Sequence, residues 1–435
     1  MLQTLVSLFY REEVQLVIVF LILFIVICLL WFRWKHRFWI KQPVFHAYKL
    51  HYWLYPPGII DRPVPKMDEY YDPMIRFSDF DKLEQYETDN IIDLLKGHYL
   101  QTEDIKYQPS RNSVIPYFKG HNYPSYISFS YKKKAVLDFR NKQVLQKTKP
   151  TCIMTTRPME LEHKRKSTNN TTENLMIHYV DYLCTRRDHR KKGITQQNIY
   201  THYVNYRKQT PKNMINFFKR EGPQSVYIPM VIYFSYGFSL KRWKQPQPFS
   251  PFIKCVPVGK NNMHILQNFL HDNKSRFTTS IIPEMGNIQS LIVTQNYFCF
   301  LLMYNDNPIS CYFFRNAVTY YAEYAKSRDV PDRRLREKME RRGNSIELIA
   351  SINGLDNNVE NEKLFVQGFY HSVYQILLKK SFQHRVLVIE NISNNNRILK
   401  NVMKKYKSIF RVQTGYYYYN FALLPEESKN VLVIT

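Results

Sequence analysis

A chain of 435 residues with 44% hydrophobic and 15% aromatic content can bury a sizeable core in two or three domains, which excludes global disorder. The formal net charge of +26 calls for an anionic partner: nucleic acid, acidic lipid headgroups or a phosphorylated cofactor. Six cysteines without a CxxC pair argue against a disulfide framework or a zinc site and fit a reducing compartment.

Leu16 to Phe32 is an uninterrupted apolar run. With Val14 and Trp34 it reaches the roughly 20 residues a helix needs to cross the hydrocarbon core. Arg33, Lys35, Arg37 and Lys41 follow, so the positive-inside rule puts the large C-terminal part on the cytoplasmic side of a single-pass protein. Trp31, Trp34 and Trp39 fit an interfacial aromatic belt. A signal peptide is the competing reading, but no small-residue cleavage site follows the run. Residues 35–80 are rich in prolines and aromatics and read as an extended segment lying over a globular surface. Thr88 to His98 reads as an amphipathic helix with Ile91, Ile92, Leu94 and Leu95 on its buried side. Tyr123 to Arg157 alternates and turns like a meander of short antiparallel strands, and His163 to Asn174 reads as a polar loop.

Ile177 to Leu183 is a β-branched and aromatic run of strand length. Arg186, Arg187, Asp188, His189, Arg190, Lys191 and Lys192 form a dense basic turn, which Gly193 closes before a helix from Ile194. A strand, a cationic glycine loop and a helix start outline a phosphate cradle, because the first helical N–H groups are unpaired and the helix dipole adds positive charge. A solvated surface loop is the alternative. Asn213 to Arg220 reads as helix, Ser225 to Phe234 as strand and Trp243 to Phe252 as a linker. A second series follows: a helix near Asn262 to Phe269, then strands at Ser290 to Thr294, Tyr297 to Tyr304, Ile309 to Arg315 and Ser345 to Ile352. It continues with helix Glu362 to Lys379, strand Val386 to Glu390, helix Asn395 to Tyr406 and strands Tyr416 to Leu423 and Val431 to Thr435. Two α+β halves of similar order point to a duplicated fold.

Four stretches carry a family likeness. Arg37 to Val44 (RFWIKQPV) is similar to K-F-W-x-T-Q-P-V, and Asp181 to Cys184 with Arg190, Lys192 and Gly193 to N-F-L-C-V-x-K-x-L-R-x-K-R. Tyr416 to Phe421 (YYYYNF) is similar to Y-Y-L-Y-N-W, and Glu427 to Thr435 to a hydrophobic C-terminal strand. In this order and spacing the chain resembles the N-myristoyltransferases from residue 37 to 435. The resemblance implies an α+β fold of two fused GNAT-like (acyl-CoA N-acyltransferase) halves with mixed sheets, here preceded by one transmembrane helix. The expected layout is a short non-cytoplasmic N-terminus (1–13), a membrane helix (14–34), an extended segment (35–80), an acyl-CoA half (81–245) and an acceptor half (246–435).

The family chemistry implied is transfer of a myristoyl or other fatty acyl group from acyl-CoA, the co-substrate, to the N-terminal glycine of an acceptor protein, without a metal. Such a transfer needs an oxyanion hole, and backbone N–H groups at Tyr182 and Leu183 match that position. The resemblance puts the CoA phosphates at Arg187, Arg190, Lys192, Gly193, Ile194 and Thr195, with Phe38 and Trp39 in the matching N-terminal motif. It makes the carboxylate of Thr435 the base. Gly193 departs from the family's Arg or Lys. The stretch Tyr236 to Trp243 departs from the family's peptide-site pattern, and the charged loop Tyr320 to Gly343 has no counterpart in it. A catalytically silent, lipid-binding or structural membrane protein is therefore the alternative. A nucleic-acid binder rests on charge alone. His163, His178, His189 and His202 read as satisfied or surface histidines, Cys184 as a core cysteine, and two of the tyrosines 416–419 as core. Abundant Asn, Lys, Ile and Tyr fit an AT-rich genome, such as that of a large DNA virus or a parasite.

Overall fold

The structure, a computed structural model, describes residues 12–102, 105–138, 143–164, 172–210, 215–222, 226–321, 343–356, 358–379 and 384–435. It opens with the helix Glu12–Lys35, whose stretch Gln15–Lys35 has a mean hydropathy of 3.1 and is long and apolar enough to cross a membrane. The helix is apolar on every side and none of that stretch is buried against the rest of the chain, the pattern of a helix that protein does not cover. No loop separates it from the domain. His36 leads directly into the short helix Arg37–Lys41, whose Phe38 is buried among Val44, Tyr70 and Tyr203.

The domain is built on one large mixed sheet. Its strands run in the order Val431–Val433, Thr279–Ile282, Gln143–Lys164, Thr172–Thr185, Asn216–Glu221, Phe410–Tyr419, Val231–Ser239, His384–Glu390, Gly343–Asn353, Asn307–Tyr321, Tyr297–Tyr304 and Ile253–Pro257. One core lies under the helices Gln85–His98, Met263–Lys274 and Met285–Val293, and a second under Val359–Leu378 and Asn395–Lys405. Strand Thr172–Thr185 and the next parallel strand, Asn216–Glu221, are joined through the helix Ile194–Gln209, a βαβ crossover. These two strands pair only over Val180↔Phe218, Tyr179↔Phe217 and His178↔Asn216. Beyond Val180 they diverge.

Several expectations need correction. Asn216–Glu221 is a strand, not a helix: Phe217 stacks on Tyr416 and Phe218 on Tyr417, the two-residue alternation of a strand. Ser290 to Thr294 belongs to the helix Met285–Val293 and its C-terminal cap, because Ile288, Leu291 and Ile292 bury one helical face. The strand expected from Ser225 begins at Val231. The short strands between residues 123 and 157 are two long ones, Tyr126–Asp138 and Gln143–Lys164, and the second runs on into the expected polar loop. All four tyrosines 416–419 are buried, since their strand is flanked on both edges and covered on both faces. Most of the charged loop Tyr320 to Gly343 lies outside the described residues.

Candidate active site

Where the two parallel strands part, a cavity of about 920 Å³ opens. Tyr179, Val180, Asp181 and Tyr182 form one wall, Lys219, Arg220 and Glu221 another, and Arg315, Glu347 and Glu390 the floor between them. The volume suits a ligand of substantial size. A β-bulge sits at its edge: Met154 pairs with Leu183 and Thr156 with Val180, so Asp181 and Tyr182 together oppose Thr155. The Tyr182 N–H donates to Thr155 Oγ1 at 3.0 Å, and the Tyr182 hydroxyl is 2.7 Å from that of Tyr107. Leu183 does not line the cavity; it packs among Phe38, Met154 and Tyr203.

Asp181 is held by Arg157, whose Nε donates to Oδ1 at 3.0 Å and to Oδ2 at 3.1 Å. Arg157 is fully buried and also donates from Nη1 to Asn287 Oδ1 at 3.2 Å. Burial disfavours the Asp181 carboxylate more than Arg157 and Arg315 favour it, so its pKa rises from 3.8 to about 6.

The floor is a network of buried charges. Lys219 Nζ lies 2.6 Å from Glu390 Oε1, the Tyr233 hydroxyl donates to Glu390 Oε2 at 2.6 Å, and Arg315 Nε donates to Glu347 Oε2 at 3.0 Å. Burial alone would raise the Glu347 pKa, but Arg315 and Lys219 outweigh it and hold that carboxyl below its ordinary value. Thr435 is buried, as expected of a terminal strand that pairs in parallel with Thr279–Ile282. It does not line the cavity. Arg315 reaches it instead, with Nη1 donating to the Thr435 oxygen at 3.3 Å, and the Tyr416 hydroxyl is 2.9 Å from Thr435 Oγ1.

The basic turn follows directly from the C-terminal end of the central strand, a few residues beyond the bulge. Gly193 caps the helix Ile194–Gln209 with φ +80°, a conformation that side chains rarely adopt, and open space surrounds the place of a Cβ. Ile194 and Thr195 open the helix, and Thr195 Oγ1 is 2.8 Å from Thr185 Oγ1. The three basic side chains also fasten the turn. Arg187 donates to Gln101 O, Arg190 Nε to Thr185 O at 3.2 Å and Lys192 Nζ to Asp188 O at 2.7 Å. The field is positive here: after burial, Arg186, Arg187 and Arg190 further lower the pKa of neighbouring His98.

Phe38 and Trp39 stand away from the cavity. Phe38 is buried, and Trp39 packs on Tyr227 with ring centroids 4.7 Å apart. Their motif meets the tyrosine strand, since Tyr419 donates to Gln42 Oε1 and the Asn420 N–H to Pro43 O at 2.6 Å. The central histidines are satisfied. His178 bridges Pro124 O and the Tyr206 hydroxyl, His202 bridges Ser128 and Thr156, and His163 contacts Thr279. His189 is buried beside its own turn. Cys184 is a buried core thiol whose pKa burial pushes to about 12. Sequence reasoning missed Arg157, Lys219, Arg315, Glu347 and Glu390. Their one signal was a charge set inside an otherwise apolar strand, as in Phe313–Phe314–Arg315.

No protein-family model and no curated protein sequence matches the chain. Solved structures do. A crystal structure of Saccharomyces cerevisiae N-myristoyltransferase with bound myristoyl-CoA superposes with a TM-score of 0.67 at 11% identity, covering 92% of this chain and 99% of that one. A second structure of the yeast enzyme with myristoyl-CoA gives 0.65 at 12% identity over 92% and 94% of the two chains. A third, with myristoyl-CoA and inhibitors, gives 0.64 at 12% over 91% and 92%. The chain therefore shares the fold of the yeast N-myristoyltransferase structures, α+β on one large mixed sheet, and carries an apolar helix ahead of it.

Proposed function

We propose that the protein is a membrane-anchored N-acyltransferase that moves a fatty acyl group, myristoyl above all, from CoA to the N-terminal glycine of an acceptor protein. The observation that carries the reading is the bulge at Asp181 and Tyr182 opening into the cavity between the two diverging strands. In this reading the backbone of the bulge faces the thioester carbonyl as negative charge develops on it. The fold shared with an enzyme crystallised with myristoyl-CoA supports the choice of co-substrate. In this reading the basic turn and the start of the helix at Ile194 hold the CoA phosphates, residues 81–245 serve the acyl-CoA and residues 246–435 the acceptor. The Glu12–Lys35 helix anchors the chain, with the domain on the cytoplasmic side.

Transfer of labelled myristoyl from CoA to a glycine-initiated peptide tests this reading directly. Labelled amide product is expected; its absence at saturating acyl-CoA overturns the enzymatic reading. One observation favours a second reading, a silent acyl-CoA-binding scaffold: the Tyr182 N–H is already engaged by Thr155. That protein would gain thermal stability from myristoyl-CoA yet form no product.

A further inference from the structure

A short stretch beyond the apolar helix exposes side chains that a surface facing water usually hides. Between Tyr48 and Tyr55, five large apolar or aromatic residues face outward: Tyr48, Leu50, Trp53, Leu54 and Tyr55. Leu50 is 73% exposed, Leu54 74% and Tyr55 81%. Elsewhere among the described residues that follow the apolar helix, exposed side chains of this kind come singly or in pairs along the chain, which needs no explanation. A cluster of five calls for a partner.

What lies under the cluster holds it in place. The short helix Leu50–Leu54 buries only Tyr52, which packs with Phe45 and Ala422. Its other apolar side chains are left on the open side. Trp53 rests on Phe45 with ring centroids 5.1 Å apart, and Tyr48 stacks on the buried His46 ring at 4.9 Å. The Trp53 indole N–H donates to Ala47 O at 3.2 Å, so the ring can leave water without stranding a donor.

The position of the cluster decides its occupant. The apolar helix runs into the domain through His36, and its Phe32 packs against the same core that takes Phe38 and Val44. Burial raises the Tyr48 pKa and the Arg33 guanidinium partly offsets the rise, a Coulomb effect that makes the two neighbours. Arg33 lies in the last turn of the apolar helix, so the cluster stands beside the end of that helix. Arg33, Lys35 and Arg37 are exposed there and supply cations that anionic headgroups attract.

Resting on the membrane-anchor reading above, we propose that Tyr48 to Tyr55 is an interfacial foot. Leu50, Trp53 and Leu54 enter the headgroup–acyl boundary of the leaflet from which the apolar helix emerges, and the Tyr48 and Tyr55 hydroxyls stay at headgroup level. A second copy of the chain or another protein could cover apolar side chains too, but lipid is the one partner always present beside the end of a membrane helix. Because the anchor already holds the foot at the surface, its insertion loses no further translational freedom, and so small a cluster suffices.

The test uses the full chain in nanodiscs of phosphatidylcholine and phosphatidylserine, with a polarity-sensitive fluorophore on Leu54→Cys in a Cys28→Ser background. The five other cysteines are buried or half-buried, and the Cys28→Ser chain taken through the same labelling is the blank. A nitroxide near the top of the lipid acyl chains should quench the label by more than about half, at the roughly 5 to 10 Å depth that an interfacial helix reaches, and aqueous iodide should scarcely touch it. Leu50→Cys should behave alike, which keeps the test open if one variant misfolds. A label open to iodide and indifferent to the lipid nitroxide overturns the proposal. One shielded from both overturns it as well, since protein then covers the cluster. The same fluorophore on native Cys28, inside the apolar helix, reports the anchor separately. Quenching there by a nitroxide deep in the chains, with none at Leu54→Cys, removes this inference alone, whereas no quenching at Cys28 removes the membrane reading with it.

Discussion

Arg315 Nη1 donates to the Thr435 oxygen at 3.3 Å, joining the last residue of the chain to the charged floor of the cavity. Arg315 simultaneously holds Glu347, so the end of the chain belongs to a buried ion network rather than to a frayed tail.

One glycine added after Thr435 should therefore be poorly tolerated. It displaces the terminal oxygen from Arg315 and forces another residue into a filled core. A destabilisation on the order of 3 kcal/mol is expected, from a buried charge left short of a partner. Thermal unfolding of the extended chain checks this, and an unchanged midpoint would show that the terminus is not held. If the Thr435 carboxylate is the base that the family resemblance implies, the same addition abolishes acyl transfer.

Replacing Arg187, Arg190 and Lys192 together by alanine should weaken acyl-CoA binding at least about 100-fold, since each charge-assisted contact to phosphate contributes roughly 1.5 to 3 kcal/mol. All three side chains are exposed, so the unfolding midpoint should move little by comparison. Titration calorimetry in rising salt separates the effects: the wild-type affinity should fall with salt and the variant's should scarcely respond.

Gly237 lies on the strand beside the cavity, and a Cβ there would come 2.3 Å from the Phe410 ring, which lines the cavity. Gly237→Ala should cost about 1 to 3 kcal/mol through overpacking. It should also weaken binding of any ligand that touches Phe410. A variant as stable as wild type would mean that the ring has room to turn aside.

Acid should destabilise the fold between about pH 6 and about pH 4. Burial pushes His178 and His384 down to about 4, and His121 and His202 to about 3. Unfolded, these histidines take up protons from about 6.5 downward, so their contribution is full above 6.5 and is lost as pH falls toward the folded values. Each can remove up to about 1.4 kcal/mol per pH unit. Asp181 works in the opposite sense: its folded pKa is raised, so the stability linked to it is present below 3.8 and is lost as pH rises through about 6. Four histidines outweigh one aspartate. A midpoint that holds steady from about pH 7 to about pH 4 would contradict this balance.

Much of the fold could be read along the chain because its periodicities are strong. The strand Tyr297–Tyr304 and the helices Val359–Leu378 and Asn395–Lys405 lie where the hydrophobic pattern put them to within a few residues. Pattern failed where a short apolar run fits either period, as in Ser290 to Thr294, and where a strand is buried on both faces, as in Tyr416 to Tyr419. The site divides the same way. The central strand and its basic turn are contiguous, so Tyr182 and Gly193 could be singled out. Arg157, Arg315 and Glu390 come from three strands far apart in sequence, and only the order of the sheet brings them together. The bulge that sets Asp181 at the cavity edge is a matter of register, which residue types alone do not specify.

The contacts of Gln42 with Tyr419 and of Pro43 with Asn420 bear on geometry as much as on stability. They bind the first residues after the apolar helix to a strand at the middle of the sheet, leaving the connection no slack. In a bilayer crossed by Glu12–Lys35, the domain could neither swing outward nor tumble. It would rest against the headgroups in one fixed attitude, with the height of its cavity above the lipid set by the fold. On the acyltransferase reading proposed above, acceptors would be selected by whether their N-termini can reach that height, so that proximity to the membrane sorts them before any side chain is read.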